Sequence, residues 1–350
     1  MKQGEVKGRA RAATTGSHEI FQQLAEPLRR DLRLHCYRML GSVHEAEDLV
    51  QETYLRAWRS FNDFDRATSI RPWLYRIATN ACLNALQARK RSRRYLPDQV
   101  GPSVLPKPPG EPAMDIPWLG PIPSHYFLDV KDEAPTPEMR YSTNESVRLA
   151  FIAAIQDLPA RQRAILLLCD VLGFTASEVA GLLGSSVASV NSGLQRARES
   201  LARRHSNASA PLDHARHGQH DALLARYLEA WESHDAAGLA ALLKEDATAI
   251  MPPWREWFAG RKAIVDFFSM AWTQCKGLRL VPIAGNGQAG FAAYQYTGAE
   301  NKWAANALHL LTFDGAQISS LALFVDAALF EIFDLPLEIT AEPRPLRQAH

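Results

Sequence analysis

Residues 158–204 constrain the fold of this chain more than any other stretch, because their polar residues stand where helix ends need them. Thr175 and Glu178 have the spacing of a capping box, which predicts a helix that begins directly after Thr175. Gly184 can adopt the left-handed conformation that ends such a helix, and Ser186 is a suitable N-cap for another. The stretch therefore predicts two short helices joined by a tight turn.

The second of these helices is predicted to have one apolar face and one polar face, because Val190, Leu194, Ala197 and Leu201 recur at helical spacing. Such a pair is typical of a helix-turn-helix, whose second helix enters the DNA major groove. Ordinary core packing of an amphipathic pair is the alternative. The residues that would meet DNA are Ser186, Ser189, Asn191, Ser192, Gln195, Arg196 and Arg198.

The charge of the chain is balanced overall but unevenly distributed. The 350 residues include 39 Lys and Arg against 38 Asp and Glu. Residues 1–97 hold 18 basic and 10 acidic side chains, whereas residues 206–350 hold 11 and 16. A chain of this length predicts two or three compact units, and the charge pattern favours nucleic-acid binding by the front part only.

Several site classes are excluded by the pattern of cysteines, histidines and apolar residues. Cys36, Cys82, Cys169 and Cys275 lie too far apart for a zinc ribbon or a disulfide framework. Four histidines of a predicted connector match no zinc spacing, so no metal site is expected; they are His205, His214, His217 and His220. Because the chain lacks a membrane-length apolar run and a signal peptide, we expect a cytoplasmic protein without membrane contact.

Composition and periodicity divide the chain into segments. We predict a disordered N-terminus (1–18), a helical bundle (19–97), a Pro-rich acidic linker (98–140), a second helical domain (141–205), a connector (206–220), an α+β domain (221–336) and a tail (337–350). The α+β assignment rests on helical segments followed by alternating strands, with Asp314-Gly315 as a predicted type I′ hairpin turn.

The helical bundle carries two candidate binding surfaces. One helix groups Asp48, Gln51, Glu52 and Arg56, which a simple solvated face would also explain. The following segment combines aromatic, amide and basic side chains, as single-strand binding requires; its candidates are Arg71, Trp73, Arg76, Asn80, Asn84, Arg89, Lys90 and Arg91, with Tyr75 as a second stacking ring. The alternative is that Trp73 packs in the core.

Residues 158–204 resemble the C-terminal DNA-binding domain of extracytoplasmic-function sigma factors, in which SVxSVNSxLQRAR opens the recognition helix. The resemblance implies that this helix binds the −35 promoter element. Gly193 departs from the Ala or basic residue usual in relatives, and mid-helix glycine costs about 1 kcal/mol against Ala. We expect a less rigid helix and no contact from that position.

The segment AEDLVQETYLRAW is similar to the sigma segment that docks on the clamp helices of the RNA polymerase largest subunit, and the family also contacts the flap of the second subunit. The resemblance implies that Asp48, Gln51 and Glu52 contact polymerase. It also implies that residues 71–94 recognise and melt the −10 element, where Asn84 replaces the Asp of many relatives.

The linker sequence PWLGPIPSHYFLD resembles a PWLxPxP motif of sigma factors that carry a SnoaL-like extension. The resemblance implies that the linker threads toward the polymerase active centre, with a passive tether as the alternative. Residues 221–336 resemble the SnoaL-like branch of the NTF2-like cone fold. The implied fold is multidomain, with two all-α sigma domains, helical bundle and helix-turn-helix, before an α+β cone domain.

Cone folds of this type often bind small apolar ligands. The candidate pocket residues are Trp254, Trp257, Phe268, Trp272, Tyr294, Trp303 and His309. We expect a promoter-specificity subunit without cofactor or catalytic activity, whose extension acts in cis and binds a small molecule. The alternatives are a helix-turn-helix regulator that ignores polymerase, and a DNA-binding protein whose cone domain is an enzyme with His309 as general base.

Overall fold

The structure is a computed structural model that describes residues 17–65, 68–89, 93–127, 146–205, 217–298 and 301–340. The chain forms two compact units, one of residues 1–93 with 154–204 and one of residues 94–153 with 205–350. Within the described residues, no helix is both long and apolar enough to cross a membrane. The predicted disordered N-terminus lies almost wholly outside the described residues.

The regular elements described in the first unit are all helices. Its helices are α1 (17–25), α2 (Arg29–Leu40), α3 (Val43–Arg59), α4 (Ile70–Ala88), the end of α5 (Leu149–Gln156), α6 (Ala160–Leu166), α7 (Ala176–Leu183) and α8 (Val187–His205). A π-helical turn, Leu167–Val171, extends α6. Both helical domains predicted from the sequence are therefore present as helices.

Local signals set the helix ends as the sequence predicted. Thr175 and Glu178 form the reciprocal capping box of α7, and Gly184 ends that helix at φ 57°. The Ser186 hydroxyl accepts a hydrogen bond from the Ser189 amide at 3.2 Å, so Ser186 caps α8. These contacts confirm the helix-turn-helix.

Buried polar groups hold the first unit together. The Arg163 guanidinium donates to the backbone carbonyls of Met39, Gln156 and Leu158, and burial lowers the pKa of Arg163 to about 10. His35 is fully buried against Thr79, with 2.9 Å between Nε2 and the hydroxyl oxygen. Desolvation lowers the pKa of His35 to about 3, so the imidazole is neutral near pH 7.

The second unit contains a seven-stranded sheet in the order β2-β1-β6-β5-β4-β3, with β7 beside β5. Its elements are α9 (His217–Glu232), α10 (Ala236–Leu242), β1 (Leu243–Ile250), β2 (Trp257–Ala259), α11 (Arg261–Trp272), β3 (Leu278–Gly285), β4 (Gln288–Tyr296), β5 (Lys302–Asp314), β6 (Gln317–Phe324), α12 (Ala328–Ile332) and β7 (Glu338–Thr340). Of these seven strands, only β1 and β6 pair in parallel, and the other strand pairs are antiparallel. The domain is α+β, as predicted.

Two details of the sheet differ from the sequence analysis. β1, β2 and β7 were not predicted, because β1 mixes charged and apolar residues and the other two are only three residues long. β7 lies in the predicted tail and pairs with β5, so the predicted domain end at residue 336 is wrong. The predicted type I′ turn at Asp314-Gly315 is wrong. Asp314 pairs with Gln317, so Gly315 and Ala316 are the central residues, and of these only Gly315 has a positive φ.

Residues 94–127 of the linker lie against the C-terminal domain. They contain only two short 3-10 turns, which agrees with the predicted extended character. The Val104 amide donates to the Trp257 carbonyl, and the Ala113 amide donates to the Pro253 carbonyl, both at 2.9 Å. The sequence did not predict this association, because hydrogen bonds between distant segments leave no local pattern.

Candidate polymerase and promoter interfaces

The exposed side of α3 carries the first candidate surface. Asp48, Gln51 and Arg56 are exposed there, and Glu52 is half-buried. Glu52 and Arg56 form an ion pair one helical turn apart, with 2.5 Å between Oε1 and Nη2. The structure thus places the four predicted residues on neighbouring turns of one helix.

Leu55 lies on the same side of α3 and is 57% exposed. The sequence analysis passed over it, although a leucine between polar positions of a predicted surface is a usable signal. An apolar side chain surrounded by charged ones is the composition of a protein–protein contact centre with a polar rim. The surface is therefore defined as Asp48, Gln51, Glu52, Leu55 and Arg56, here called the α3 surface.

The second candidate surface lies on α4. Arg76, Asn80 and Asn84 are all exposed and follow one another at intervals of four residues, so they form one stripe along the helix. A guanidinium and two amides in a row offer one phosphate contact and two groups that can bind base edges. We refer to these three residues as the α4 stripe.

Three other residues predicted around α4 are engaged within the first unit. Arg71 donates from Nη2 to the Leu172 carbonyl at 2.8 Å and lies over the Phe174 ring at 4.4 Å. Trp73 packs on Phe64 with ring centroids 4.8 Å apart. The third residue, Tyr75, packs against His35 and Phe174.

The prediction that Tyr75 stacks on bases is wrong, because its side chain is completely buried between His35 and Phe174. Arg89 pairs with Glu45, with 2.5 Å between Nη2 and Oε1. Lys90 and Arg91 lie outside the described residues. Of the predicted basic residues, Arg71 and Arg89 are engaged within the first unit and Arg76 is exposed.

The polar face of α8 is exposed along its first three turns. Ser186, Ser189, Asn191, Ser192, Gln195, Arg196 and Arg198 are all exposed. Arg198 is held by Asp170, with 2.6 and 2.9 Å between its two nitrogens and the two carboxylate oxygens. Val187 at the start of the helix is 43% exposed, and the sequence analysis missed it because it counted only polar residues.

Gly193 faces inward, contrary to the expectation of a lost outward contact. A Cβ atom at this position would lie 2.8 Å from Cδ1 of Ile165 on α6. Glycine thus allows α8 to approach α6 closely. The expectation failed because the polar neighbours of Gly193 suggested an exposed position.

The candidate pocket residues do not line a single cavity. Trp254 and Trp257 donate their indole N–H groups to linker carbonyls, those of Gly110 and Gly101, at 2.8 Å each. Arg255 between them binds the Asp115 carboxylate through two contacts of 3.1 Å. This part of the predicted pocket is instead a binding surface for the linker.

The remaining pocket candidates separate across the sheet. His309 faces the helices, where its Nδ1 lies 3.1 Å from the Tyr227 hydroxyl and its ring lies 4.5 Å from Trp231. Trp231 also contacts Phe268 and Trp272, so these residues form one buried aromatic cluster. Desolvation lowers the pKa of His309 to about 3.

Tyr294 and Trp303 lie apart from this cluster. Tyr294 packs on Phe330 of α12 and donates to the Pro336 carbonyl at 3.0 Å, so it lies on the opposite sheet face. Trp303 packs on Tyr296. Phe291 pairs with His309 and lies three residues from Tyr294 on β4, so alternation places His309 and Tyr294 on opposite faces. A register shift between β4 and β5 then places Trp303 opposite Tyr296, on the face of Tyr294.

The predicted histidine cluster is described only in part. His214 lies outside the described residues, and nothing is described for the side chains of His205 and His217. His220 stacks on Phe313 with ring centroids 4.6 Å apart. Among the described residues, no group of three or more His, Cys, Asp or Glu side chains could hold a metal ion.

Comparison with known proteins identifies three domain families in the chain. Residues 24–92 match the model for Sigma-70 region 2, residues 148–201 that for Sigma-70 region 4, and residues 224–321 that for the SnoaL-like domain. These ranges contain the α3 surface and α4 stripe, the helix-turn-helix, and most of the sheet domain, respectively.

The ECF RNA polymerase sigma factor SigG of Mycobacterium tuberculosis (strain ATCC 25618 / H37Rv) is 42% identical over 90% of this chain and 84% of its own length. SigE of Mycolicibacterium smegmatis is 31% identical over 54% of this chain and 62% of its own. The crystal structure of the M. tuberculosis extracytoplasmic function sigma factor SigJ shares the fold, with a TM-score of 0.57, 22% identity and coverage of 89% and 98%. The chain therefore belongs to the ECF family of sigma-70 factors, with regions 2 and 4 followed by a SnoaL-like domain.

Proposed function

We propose that this chain binds RNA polymerase core and directs it to specific promoters, with the C-terminal domain regulating that activity in cis. The observation that carries the proposal is the presence, in one chain, of the exposed α3 surface, the α4 stripe and the exposed polar face of α8. A helix-turn-helix regulator that ignores polymerase requires only the last of these. The 42% identity to a sigma factor supports the same conclusion.

Core polymerase is the proposed partner of the α3 surface, through the clamp helices of the largest subunit. Its carboxylates can pair with basic groups and set the register of the contact, while Leu55 supplies an apolar centre. The flap of the second subunit is the proposed partner of the helix-turn-helix domain, which would place α8 at the −35 element.

Promoter DNA is the proposed ligand of α8 and the α4 stripe. On α8, Asn191, Gln195 and Arg196 can bind base edges or phosphates, and Val187 can contact a thymine methyl group. On α4, Asn80 and Asn84 can hold an unstacked base of the −10 element while Arg76 neutralises a phosphate. Arg71 joins this surface only if it leaves the Leu172 carbonyl.

Regulation in cis is supported by the contacts between the linker and the C-terminal domain. Trp254 and Trp257 hold the carbonyls of Gly110 and Gly101, so release of residues 101–110 from that surface would free this part of the linker for polymerase. Substituting Trp254→Phe together with Trp257→Phe would remove two indole donors and leave an aromatic ring at both positions. We expect this double variant to change the transcript yield. Trp303→Phe should leave the yield unchanged, because the Trp303 ring packs on Tyr296 and not on the linker.

A small-molecule ligand, if one regulates the C-terminal domain, would bind beside the aromatic cluster of Trp231, Phe268, Trp272 and His309. We propose no catalytic role for this cluster. His309 with a pKa of about 3 is a weak base at neutral pH, and its Nδ1 is already within hydrogen-bond distance of Tyr227.

Binding of purified polymerase core tests the proposed function. Asp48→Lys reverses one charge of the α3 surface, and we expect the affinity for core to fall by about tenfold or more. Asp63→Lys makes the same charge change at an exposed residue outside that surface and should leave the affinity unchanged. A wild-type chain that binds promoter duplex tightly without binding core would refute the proposal.

A further inference from the structure

Asn286 is a buried polar residue in the turn between β3 and β4. Gly285 pairs with Gln288, so Asn286 and Gly287 are the two central residues of the hairpin turn. Their φ angles are 53° and 68°, the positive values that a type I′ turn requires at both positions. Yet the side chain of Asn286 is fully buried, whereas the asparagine of a free hairpin turn faces solvent.

The burial of Asn286 results from contacts with two separate chain segments. Its Oδ1 accepts from the Ile122 amide at 2.9 Å, and its own amide donates to the Ile122 carbonyl at 2.8 Å. Its Nδ2 donates to the Val147 carbonyl at 2.6 Å. The neighbouring Gly287 amide donates to the Ser124 hydroxyl at 3.1 Å, which extends the contact along the linker.

The two segments are the end of the described linker and the start of region 4. Ile122 belongs to the linker residues 94–127, and Val147 stands directly before the region 4 match, which begins at residue 148. One amide side chain therefore binds both flanks of residues 123–146. The acceptor oxygen binds the linker, and the donor nitrogen binds the residue that precedes region 4.

A side chain with one acceptor and one donor suits this double contact. Val147 is fully buried, and Ile122 is fully buried as well, so water is a poor substitute for either bond. An unpaired buried backbone group is costly, which makes both contacts depend on the amide. Neither aspartate nor glycine provides the same pair of bonds.

We propose that Asn286 is a positioning residue that fixes the path of the chain between the two promoter-binding regions. By holding Ile122 and Val147 on one turn of the C-terminal domain, it limits the spacing between −10 and −35 elements that the factor accepts. This step rests on the proposed function. The sheet domain thereby sets promoter selectivity without contacting DNA.

Two substitutions separate the two contacts. Asn286→Gly keeps the positive φ and the backbone bond to Ile122 but removes both side-chain bonds. Asn286→Asp keeps an acceptor for the Ile122 amide but, as a carboxylate, removes the donor to Val147. Asn301→Gly is the matched control, because Asn301 has φ 47° in another turn of the same domain and is exposed.

Hydrogen exchange of the full chain tests the contacts without polymerase. In Asn286→Gly we expect the Ile122 amide to lose protection by about tenfold or more, the factor for one buried hydrogen bond. Amides of residues 146–152 should exchange faster in both Asn286 variants, whereas Ile122 should stay protected in Asn286→Asp. Unchanged exchange in Asn286→Gly, or equal loss across β5 and β6, would overturn the proposal.

Transcription by core with each variant tests the consequence. On promoters whose −10 to −35 spacer is varied one base pair at a time, we expect Asn286→Gly to accept a broader range than wild type and Asn301→Gly to match wild type. Faster exchange with an unchanged spacer profile would refute the role in selectivity. Failure of wild-type chain to transcribe any of these promoters would instead refute the proposed function, while the exchange data would still decide the contacts.

Discussion

Replacing Gly193 with alanine tests how closely the recognition helix α8 packs on α6. The new Cβ would lie 2.8 Å from Cδ1 of Ile165, well inside the ~3.5–4.0 Å of a normal carbon contact. Ile165 is only 3% exposed, so its side chain has little room to move. Overpacking of this kind costs about 1–3 kcal/mol.

The same substitution improves helix propensity by about 1 kcal/mol, so we expect Gly193→Ala to lie between neutral and about 2 kcal/mol destabilising. Ile165→Val removes the clashing atom and alone costs about 0.5–1.5 kcal/mol. In that background Gly193→Ala should become neutral or stabilising. Because propensity cancels in the double-mutant cycle, the coupling energy should be about 1–3 kcal/mol.

Hydrogen exchange of α8 amides in the four variants measures these energies locally, without assuming two-state unfolding of a multidomain chain. Gly181→Ala on α7 is the control, because no atom lies within 4 Å of its added Cβ. That variant should gain about 1 kcal/mol. Effects of Gly193→Ala and Ile165→Val that add within about 0.5 kcal/mol would refute the proposed contact.

Three further predictions follow from buried and exposed groups of the first unit. The pKa of His35 falls from 6.5 to about 3 on folding, so its contribution to the free energy of unfolding is full above pH 6.5 and decreases by about 1.4 kcal/mol per pH unit as the pH falls toward 3. Urea titrations should therefore show a weaker pH dependence of this free energy in His35→Gln and an unchanged one in His44→Gln. Arg163→Met removes the donor that binds the carbonyls of Met39, Gln156 and Leu158. Thermal unfolding should show a loss of about 3 kcal/mol or more in the free energy of unfolding, and a loss below about 1 kcal/mol would contradict the assigned contacts. Asn80→Ala should reduce the permanganate reactivity of the opened −10 region, whereas Gln87→Ala on the same helix should leave it unchanged. Equal effects of the two substitutions would argue against binding of the −10 element by the α4 stripe.

The helices and most strands could be predicted from the sequence because their signals are local. The capping box at Thr175, the left-handed Gly184 and the apolar period of α8 all act within a few residues. The same holds for the polar residues of the α3 surface. Their exposure follows from helical periodicity alone.

The parts that the sequence did not predict depend on contacts between distant residues. Nothing near Gly193 indicates that Ile165 will lie against it, and nothing near Tyr75 indicates burial by Phe174. The pocket assignment failed for the same reason, since Trp254 binds the linker rather than a cavity. Asn286 is different, because Asn-Gly between two strands is a recognised hairpin signal that the sequence analysis overlooked.

Transcription reconstituted from purified bacterial core and this chain tests the central claim most directly. On a library of genomic fragments, we expect core with the chain to start transcripts at a defined subset of sites that share −10 and −35 elements. Core alone should not select these sites. Initiation that is no more selective with the chain than without it would contradict the account.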